Sequence, residues 1–352
     1  MTHAAFNIQQ RAVGSNAPCL IIGEVAQAHD GSLGTAHAFI DAIAKTGADA
    51  VKFQTHIADA ESTPAEPWRV QFSKQDATRF DYWRRMEFTA EQWAGLKAHA
   101  EERNLIFLSS PFSIAAATML DELGMAAWKI ASGEVGNIPL LEFVMRTRKP
   151  VLMSTGMSQL REIDQATEQL RKHDIPFALL QCTSMYPTPP EKVGLNCLRE
   201  FAERYQCPTG LSDHSGVPYP SFAAVTLGAK VLELHVTLSR ESFGPDVIAS
   251  LTTAELQDVV RGVRYIEAMQ TAAVAKDEMA DELANTKRLF TRSIVAATDL
   301  AAGTILTEQS VELKKPGGGL GPSALQRIVG SRLLRDVHRN EMIQENMLEE
   351  VK

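Results

Sequence analysis

Cysteine is scarce and poorly spaced for chemistry: the four, Cys19, Cys182, Cys197 and Cys207, form no CxxC pair, which argues against a thiolate zinc site or a redox dithiol. Three sit in or beside apolar runs, where a free thiol acts as a small core residue, and reduced cysteines are the expectation. No apolar run approaches ~18 residues, so the sequence offers no membrane-crossing helix. The opening residues show no charged stretch leading into an apolar one, and a cytoplasmic location is therefore expected. Basic charge is also short, with 35 lysines and arginines against 43 acidic residues, a formal net charge of −8. That balance argues against a general nucleic-acid or anionic-membrane binder, so any cation that recognises phosphate must be placed locally. A GxxxxGK[ST] loop is absent too, which disfavours nucleoside triphosphate binding.

Against these absences stands one repeated arrangement. Eight strand-like apolar runs each end in polar or ionisable residues: CLIIGEVA (Glu24), ADAVKFQT (Lys52, Gln54), LIFLSSPF (Ser109, Ser110), AWKIASGEV (Lys129, Ser132, Glu134), PVLMSTG (Ser154), FALLQCTSMY (Thr183, Tyr186), PTGLSDHS (Ser212, Asp213, His214) and VLELHVTL (Glu233, His235). All but the last lead through a short loop towards an amphipathic helical stretch such as GTAHAFIDAIAKTG. A βα repeat of this kind belongs to the α/β class and closes most readily into a parallel (β/α)8 TIM barrel, whose strand C-termini face one pocket. The 352 residues leave room for such a barrel of ~250 residues and one compact module more. The chain divides accordingly into a barrel domain with a polar lead-in (1–268), a polar, Ala-rich linker (269–285) and a module of short β-like pieces and glycine turns (286–352). That module is small for an independent core and is expected to draw stability from another surface. The stretch between Thr55 and Thr89 is too long for a simple βα loop and is expected to act as a lid or interface arm.

Strand alternation aims the side chains. Lys52 and Gln54 share one face of their strand, Glu233 and His235 share one of theirs, and so do Ser212 and His214 if their strand runs through both. An isolated buried charge at the barrel mouth would cost several kcal/mol, a cost that phosphate or a metal would offset. Lys52 and Lys129, among Ser109, Ser110, Ser132, Ser154 and Ser212, make a cradle for a small phosphorylated carboxylate, with the lysines as point charges and the hydroxyls donating or accepting as the ligand requires. His214 and His235 end neighbouring strands within reach of one ion. Imidazole suits Mn, Fe, Co or Zn, and two protein nitrogens leave positions open for water and substrate oxygens. His29, in AHDGSLG, is a candidate for a helix-entry or pocket-wall role.

The same residues carry a likeness over essentially the whole chain. GADAVKFQT, FLSSPFS, WKIASGEV, MSTGMS, QCTSMYPTPP, GLSDHSG, ELHVTL and FGPD resemble the sialic acid synthases. Those enzymes condense phosphoenolpyruvate with an N-acetylated hexose to give nonulosonic acids such as N-acetylneuraminic, legionaminic and pseudaminic acid. The KKPGGG stretch resembles the family's small, mostly-β antifreeze-like domain (SAF, β-clip). The resemblance implies that Lys52, Ser110, Lys129, Ser132, Ser154 and Ser212 hold the phosphate and carboxylate of phosphoenolpyruvate. It implies that His214 and His235 hold a divalent metal, Mn2+ first, with Mg2+ or Co2+ as alternatives. Glu24, Gln54, Tyr186, Asp246 and Lys315 would contact the acceptor sugar. Lys129, Glu24 and Glu134 would be catalytic, with Glu134 orienting or deprotonating the water that adds to the substrate. A homodimer is also implied, each C-terminal module reaching over the partner's barrel.

Departures from the family's pattern fall in the sugar half. Met185 stands where N-acetylneuraminate-forming members commonly carry Asn, and Val247 follows GPD where His is common. EVAQAHDG replaces the more usual EIGxNHNG. Lys315 occupies a position at which many members have Arg, and an ammonium cannot reproduce a guanidinium's planar fork. These departures leave room for a bacterial-type nonulosonate other than N-acetylneuraminate, and the acceptor the resemblance implies is N-acetylmannosamine or a 2,4-diacetamido-2,4,6-trideoxyhexose. Two other readings stand beside this one. A phosphoenolpyruvate-dependent 3-deoxy-ulosonate phosphate synthase would need cations for a second phosphate, and no basic cluster ends a strand. A noncatalytic glycan-binding protein would not need the convergent barrel-mouth set.

Overall fold

The computed structural model describes residues 5–14 and 16–349, and the chain divides into two compact units between Thr271 and Ala272. The first unit opens with an antiparallel hairpin, β1 (Phe6–Ile8) and β2 (Arg11–Val13), where the sequence suggested only a polar lead-in. Ile8 and Val13 are fully buried against the inner barrel residues; strands of three residues are too short to register as a periodic pattern. All eight apolar runs then form parallel strands: β3 (Leu20–Ala26), β4 (Ala50–Thr55), β5 (Ile106–Pro111), β6 (Trp128–Ile130), β7 (Val151–Ser154), β8 (Phe177–Cys182), β9 (Thr209–Asp213) and β10 (Val231–Thr237). Their hydrogen-bonded order is β5-β4-β3-β10-β9-β8-β7-β6, a near-closed barrel with β5 and β6 as the ends of the ladder.

Helices alternate with these strands because their apolar positions recur at helical spacing. In α1 (Leu33–Thr46), Ala36, Phe39, Ile40 and Ile43 form the buried stripe. Ser32 caps its first turn by accepting from the Thr35 amide, and Gly47, at φ 82°, ends it in the left-handed conformation that glycine adopts without strain. The long insertion after β4 carries two short helices, α2 (Ala58–Glu61) and α3 (Arg79–Met86), before α4 (Ala90–Glu102) resumes the repeat. The last helix of the unit runs Thr253–Thr271, into the stretch expected as linker. Among the described residues no helix is long and apolar enough to cross a membrane.

Two apolar layers set the frame. Inward residues such as Leu20, Ile22, Ala50, Leu108, Leu152, Leu180 and Val231 fill the barrel, and outward residues such as Ile21, Val51, Phe107, Leu232 and Leu234 pack with the helices. The second unit pairs Ser293–Ala296 with Val311–Lys314 in an antiparallel ribbon, extended by single bridges such as Leu300 to Val337. It has an apolar cluster of its own around Ile294, Leu306, Ile328, Leu333 and Ile343, a better core than its length suggested.

Candidate active site

The alternation that packs the barrel also delivers its chemistry. On β10, Val231 joins the inner layer, so Glu233 and His235 point inward two and four residues later, while Leu232, Leu234 and Val236 pack outward. β4 repeats the pattern with Ala50 followed by Lys52 and Gln54, and β3 with Ile22 followed by Glu24. On β5 the rule admits only one of the two serines. Ser110 faces the cavity, whereas Ser109 turns outward, its Oγ 2.8 Å from Thr55 Oγ1 and donating to the Phe53 carbonyl at 3.2 Å. Ser109 therefore leaves the expected cradle. β9 stops at Asp213, so His214 lies one residue beyond the strand, yet it still lines the cavity with Ser212.

The inward groups surround one cavity of about 570 Å3 at the C-terminal ends of the strands, within the size range of small-molecule sites. Glu233 lies at the centre of its charged floor. Its Oε1 is 3.3 Å from Lys129 Nζ and accepts from Ser212 Oγ at 2.9 Å, and its Oε2 is 3.6 Å from Lys52 Nζ. Lys52 Nζ is also 2.8 Å from Glu24 Oε2 and donates to Ser110 Oγ at 3.3 Å. Lys129 Nζ donates to Ser154 Oγ at 2.8 Å and to the Ile130 carbonyl at 3.3 Å. All four ionisable groups are buried. Burial opposes ionisation of Glu233, but Lys129 and Lys52 outweigh it and hold the carboxyl below its usual range. Burial, reinforced by the Glu233 charge, lifts Glu24 above that range. Burial likewise lowers Lys129, whereas at Lys52 it is outweighed by Glu233 and Glu24, which raise the ammonium's pKa. Glu24 Oε2 and Glu233 Oε2 are buried without an aligned hydrogen bond, so both keep acceptor capacity facing the lysines.

His214 and His235 stand together on the same cavity, ring centroids 5.1 Å apart at 60°. His214 Nδ1 is 3.0 Å from the Thr183 carbonyl and donates to it, which leaves the lone pair on Nε2, 3.3 Å from Tyr186 Oη. Burial pushes the His235 pKa down to about 3 and keeps that ring neutral. A ring fixed by a carbonyl behind it, beside a neutral imidazole, fits the donor set of a divalent ion. Among the described residues no third His, Cys, Asp or Glu completes a cluster, so such an ion would take its other ligands from water and substrate.

The remaining expected residues divide by unit. Gln54 donates to Glu24 Oε1 at 3.0 Å, and Tyr186 stacks on His214 at 4.2 Å. Asp246 pairs with Arg69 at 2.9 Å. Glu134 accepts from Asn137 Nδ2 at 2.7 Å, and burial raises its pKa. Ser132 Oγ accepts from the Gly156 amide at 2.9 Å. A side chain at 156 would approach Ser184 Oγ within 2.5 Å and Cys182 Sγ within 2.7 Å, so this close turn needs glycine. Lys315 belongs to the C-terminal unit, where its Nζ lies 5.1 Å over the Phe290 ring. Of its two expected places His29 takes the helix entry and not the wall: it is buried against Phe88 and Phe53, its Nδ1 accepts from the Gly31 amide at 3.1 Å, and its carbonyl accepts from the amide of Ser32, the cap of α1, at 2.9 Å.

Sequence alone assigns several lining residues no functional role. Glu233 was aimed correctly but given no role. His56 continues the inward face of Lys52 and Gln54, a signal that was present; it is sandwiched between Trp83 at 4.1 Å and Phe112 at 4.5 Å, with Nδ1 2.6 Å from Glu61 Oε1. Cys182, taken for a core thiol, lines the cavity with its Sγ 3.9 Å from His214 Nδ1. Trp68, Arg69 and Arg79 come from the insertion, which has no period to aim them.

Residues 39–275 match the NeuB family and residues 291–349 the SAF domain. This chain belongs to the NeuB family. It is similar to the N,N'-diacetyllegionaminic acid synthase of Campylobacter jejuni, at 32% identity over 332 residues covering 93% of this chain and 99% of that one. It is also similar to the N-acetylneuraminate-9-phosphate synthase of Homo sapiens, at 33% over 344 residues covering 96% and 95%. The N-acetylneuraminic acid synthetase of Leptospira borgpetersenii superposes with a TM-score of 0.71 at 28% identity, over 82% of this chain and 98% of that one. These NeuB-family relatives are named as synthases, and the chain is an enzyme of that kind.

Proposed function

We propose that this NeuB-family chain is a nonulosonic acid synthase that joins phosphoenolpyruvate, water and an unphosphorylated N-acetylated hexose, and releases phosphate. One observation carries the reading: two buried lysines converge on Glu233 beside a pair of imidazoles, all on one barrel-mouth cavity. Lys52 and Lys129, with Ser110, Ser132, Ser154 and Ser212, would take the phosphate and carboxylate of phosphoenolpyruvate through charge-assisted hydrogen bonds. His214 and His235 would hold a divalent metal, Mn2+ first with Mg2+ or Co2+ as alternatives, which supplies Lewis acidity to the acceptor's aldehyde.

The chain's own residues then account for the protons. C3 of the enolpyruvate attacks the aldehyde carbon, a C–C bond forms, and the former aldehyde oxygen takes a proton from Glu24, whose raised pKa fits that duty. Water adds to the cationic C2 and gives its proton to Glu134, held by Asn137. The tetrahedral species collapses by cleavage of the bond between C2 and the phosphate oxygen: C2 becomes a ketone, its hydroxyl proton passes to the departing phosphate, and the phosphate's charge develops against Lys52 and Lys129.

Two features support a neutral acceptor. The cations of the outer cavity are already matched, Arg69 to Asp246 at 2.9 Å and Arg79 to Glu66 at 3.3 Å, and Trp68, Phe72, Tyr82 and Trp83 supply apolar wall beside them. Among the described residues of the barrel wall a second phosphate finds no unmatched cation there, which weighs against an ulosonate phosphate synthase. The test is a phosphate-release screen with phosphoenolpyruvate and Mn2+ against N-acetylmannosamine, its 6-phosphate and the 2,4-diacetamido-2,4,6-trideoxyhexoses. Release with an unphosphorylated acceptor is expected. Release with none would remove the proposal, and absence of phosphoenolpyruvate binding would favour a glycan-binding protein. The reading includes a homodimer in which Lys315 serves the partner's sugar site. Mixing Lys315→Ala with Lys129→Met under subunit exchange should then recover partial activity, and no recovery would discard that arrangement.

A further inference from the structure

We propose that Arg69, on the insertion between β4 and α4, reads the acyl amide of the acceptor sugar. This rests on the reading of the cavity as a nonulosonic acid synthase site. Arg69 lines that cavity with its guanidinium 4.1 Å from the centroid of the Tyr186 ring. A single donor, on Nη2, is used, to Asp246 Oδ1 at 2.9 Å, and among the described residues the side chain makes no other hydrogen bond to protein. A guanidinium carries five N–H donors in a rigid plane, so most of this fork is unspent. The side chain is 42% exposed, on the open side of the cavity.

Pairing with Asp246 offsets the charge while leaving the directed donors in place. Such a group suits a neutral carbonyl oxygen better than a phosphate, which would meet the Asp246 carboxylate as well. The Tyr186 ring, stacked on His214 at 4.2 Å behind it, holds the guanidinium in place from beneath. Trp68, the preceding residue, packs on Phe72 and Tyr82 at 5.5 and 5.9 Å between ring centroids. Arg79 Nη1 donates to the Pro67 carbonyl at 3.2 Å. The backbone that presents Arg69 is therefore held from two sides. The fork that a lysine cannot supply at position 315 is available here, from the barrel unit itself.

The experiment compares wild type with Arg69→Ala, Arg69→Lys and Lys315→Ala, with phosphate release measured for N-acetylmannosamine, or another N-acylated acceptor that turns over, and for the matching sugar bearing hydroxyl in place of the acylamino group, mannose in the simplest pair. Arg69→Ala is expected to raise KM for the N-acylated acceptor about 10- to 100-fold, the range for losing charge-assisted hydrogen bonds. KM for phosphoenolpyruvate and kcat at saturation should stay near wild type. The preference for the acylated sugar should collapse by the same factor, and Arg69→Lys should not restore it. Equal losses on both acceptors, or a loss confined to kcat or to KM for phosphoenolpyruvate, would show a latch on the insertion and overturn the assignment. Collapse in Lys315→Ala but not in Arg69→Ala would overturn it too. If wild type releases phosphate with no acceptor, the proposed function falls and takes this inference with it.

Discussion

Glu233→Gln tests the charged floor of the cavity most sharply, because glutamine keeps the volume and removes the charge that two buried lysines share. Among the described residues Lys129 has one carboxylate within 4 Å, Glu233 at 3.3 Å, whereas Lys52 has Glu233 at 3.6 Å and Glu24 at 2.8 Å. Removing one partner of a buried pair costs about 3–5 kcal/mol because the other charge is left uncompensated. Lys52 keeps Glu24, and Lys129 keeps Ser154 and a pKa already lowered by burial, so the low end, about 3 kcal/mol, applies. For a unit of this size that corresponds to a melting temperature lower by about 6–12 °C. Phosphoenolpyruvate should then raise the melting temperature of the variant more than that of wild type, since its phosphate fills the place of the missing carboxylate. Differential scanning calorimetry with and without phosphoenolpyruvate reads both effects. An unchanged melting temperature, or equal ligand-induced shifts in the two proteins, would refute the account of Glu233 as the lysines' resting partner.

Replacing His214 or His235 with alanine should abolish Mn2+-dependent turnover while leaving the thermal melt nearly unchanged, because barrel stability lies in the apolar layers; unchanged turnover in metal-stripped His235→Ala would remove the metal assignment. Lys52→Met and Lys129→Met should each weaken phosphoenolpyruvate binding by about one to two orders of magnitude, the effect of losing a charge-assisted contact of about 1.5–3 kcal/mol, and calorimetric titration showing wild-type affinity in both would take the lysines out of the site. Glu134 must be ionised to act as a base, and burial raises its pKa. Activity should therefore fall as pH drops through a value above the ordinary carboxylate range, and Glu134→Gln should lower kcat by about 100-fold or more and erase that acid limb. A limb that persists in Glu134→Gln belongs to another group.

The barrel was legible because two independent periods agreed, alternation in the strands and a helical stripe in stretches such as Leu33–Thr46. Alternation also aimed Lys52, Gln54, Glu233 and His235 correctly, and applied strictly it separates Ser110 from Ser109 and adds His56 to the inward face. What it could not give was partnership across strands. The importance of Glu233 comes from lysines on β4 and β6, and a one-strand pattern carries no information about either. Nor could it reach the insertion, where Arg69 is placed by aromatic packing and by a hydrogen bond from the Arg79 side chain to the Pro67 carbonyl rather than by any repeat. The β1–β2 hairpin escaped for a simpler reason, since three-residue strands hold barely one cycle of a two-residue period.

The most direct measurement is a stoichiometry. Purified protein is given phosphoenolpyruvate, an unphosphorylated N-acetylated hexose and Mn2+, and phosphate and sugar products are quantified together by colorimetry and mass spectrometry. The account requires one nonulosonic acid for each phosphate released, and no release when the acceptor is withheld. Phosphate release without the acceptor, or acceptor-dependent release with no nine-carbon product, would contradict it.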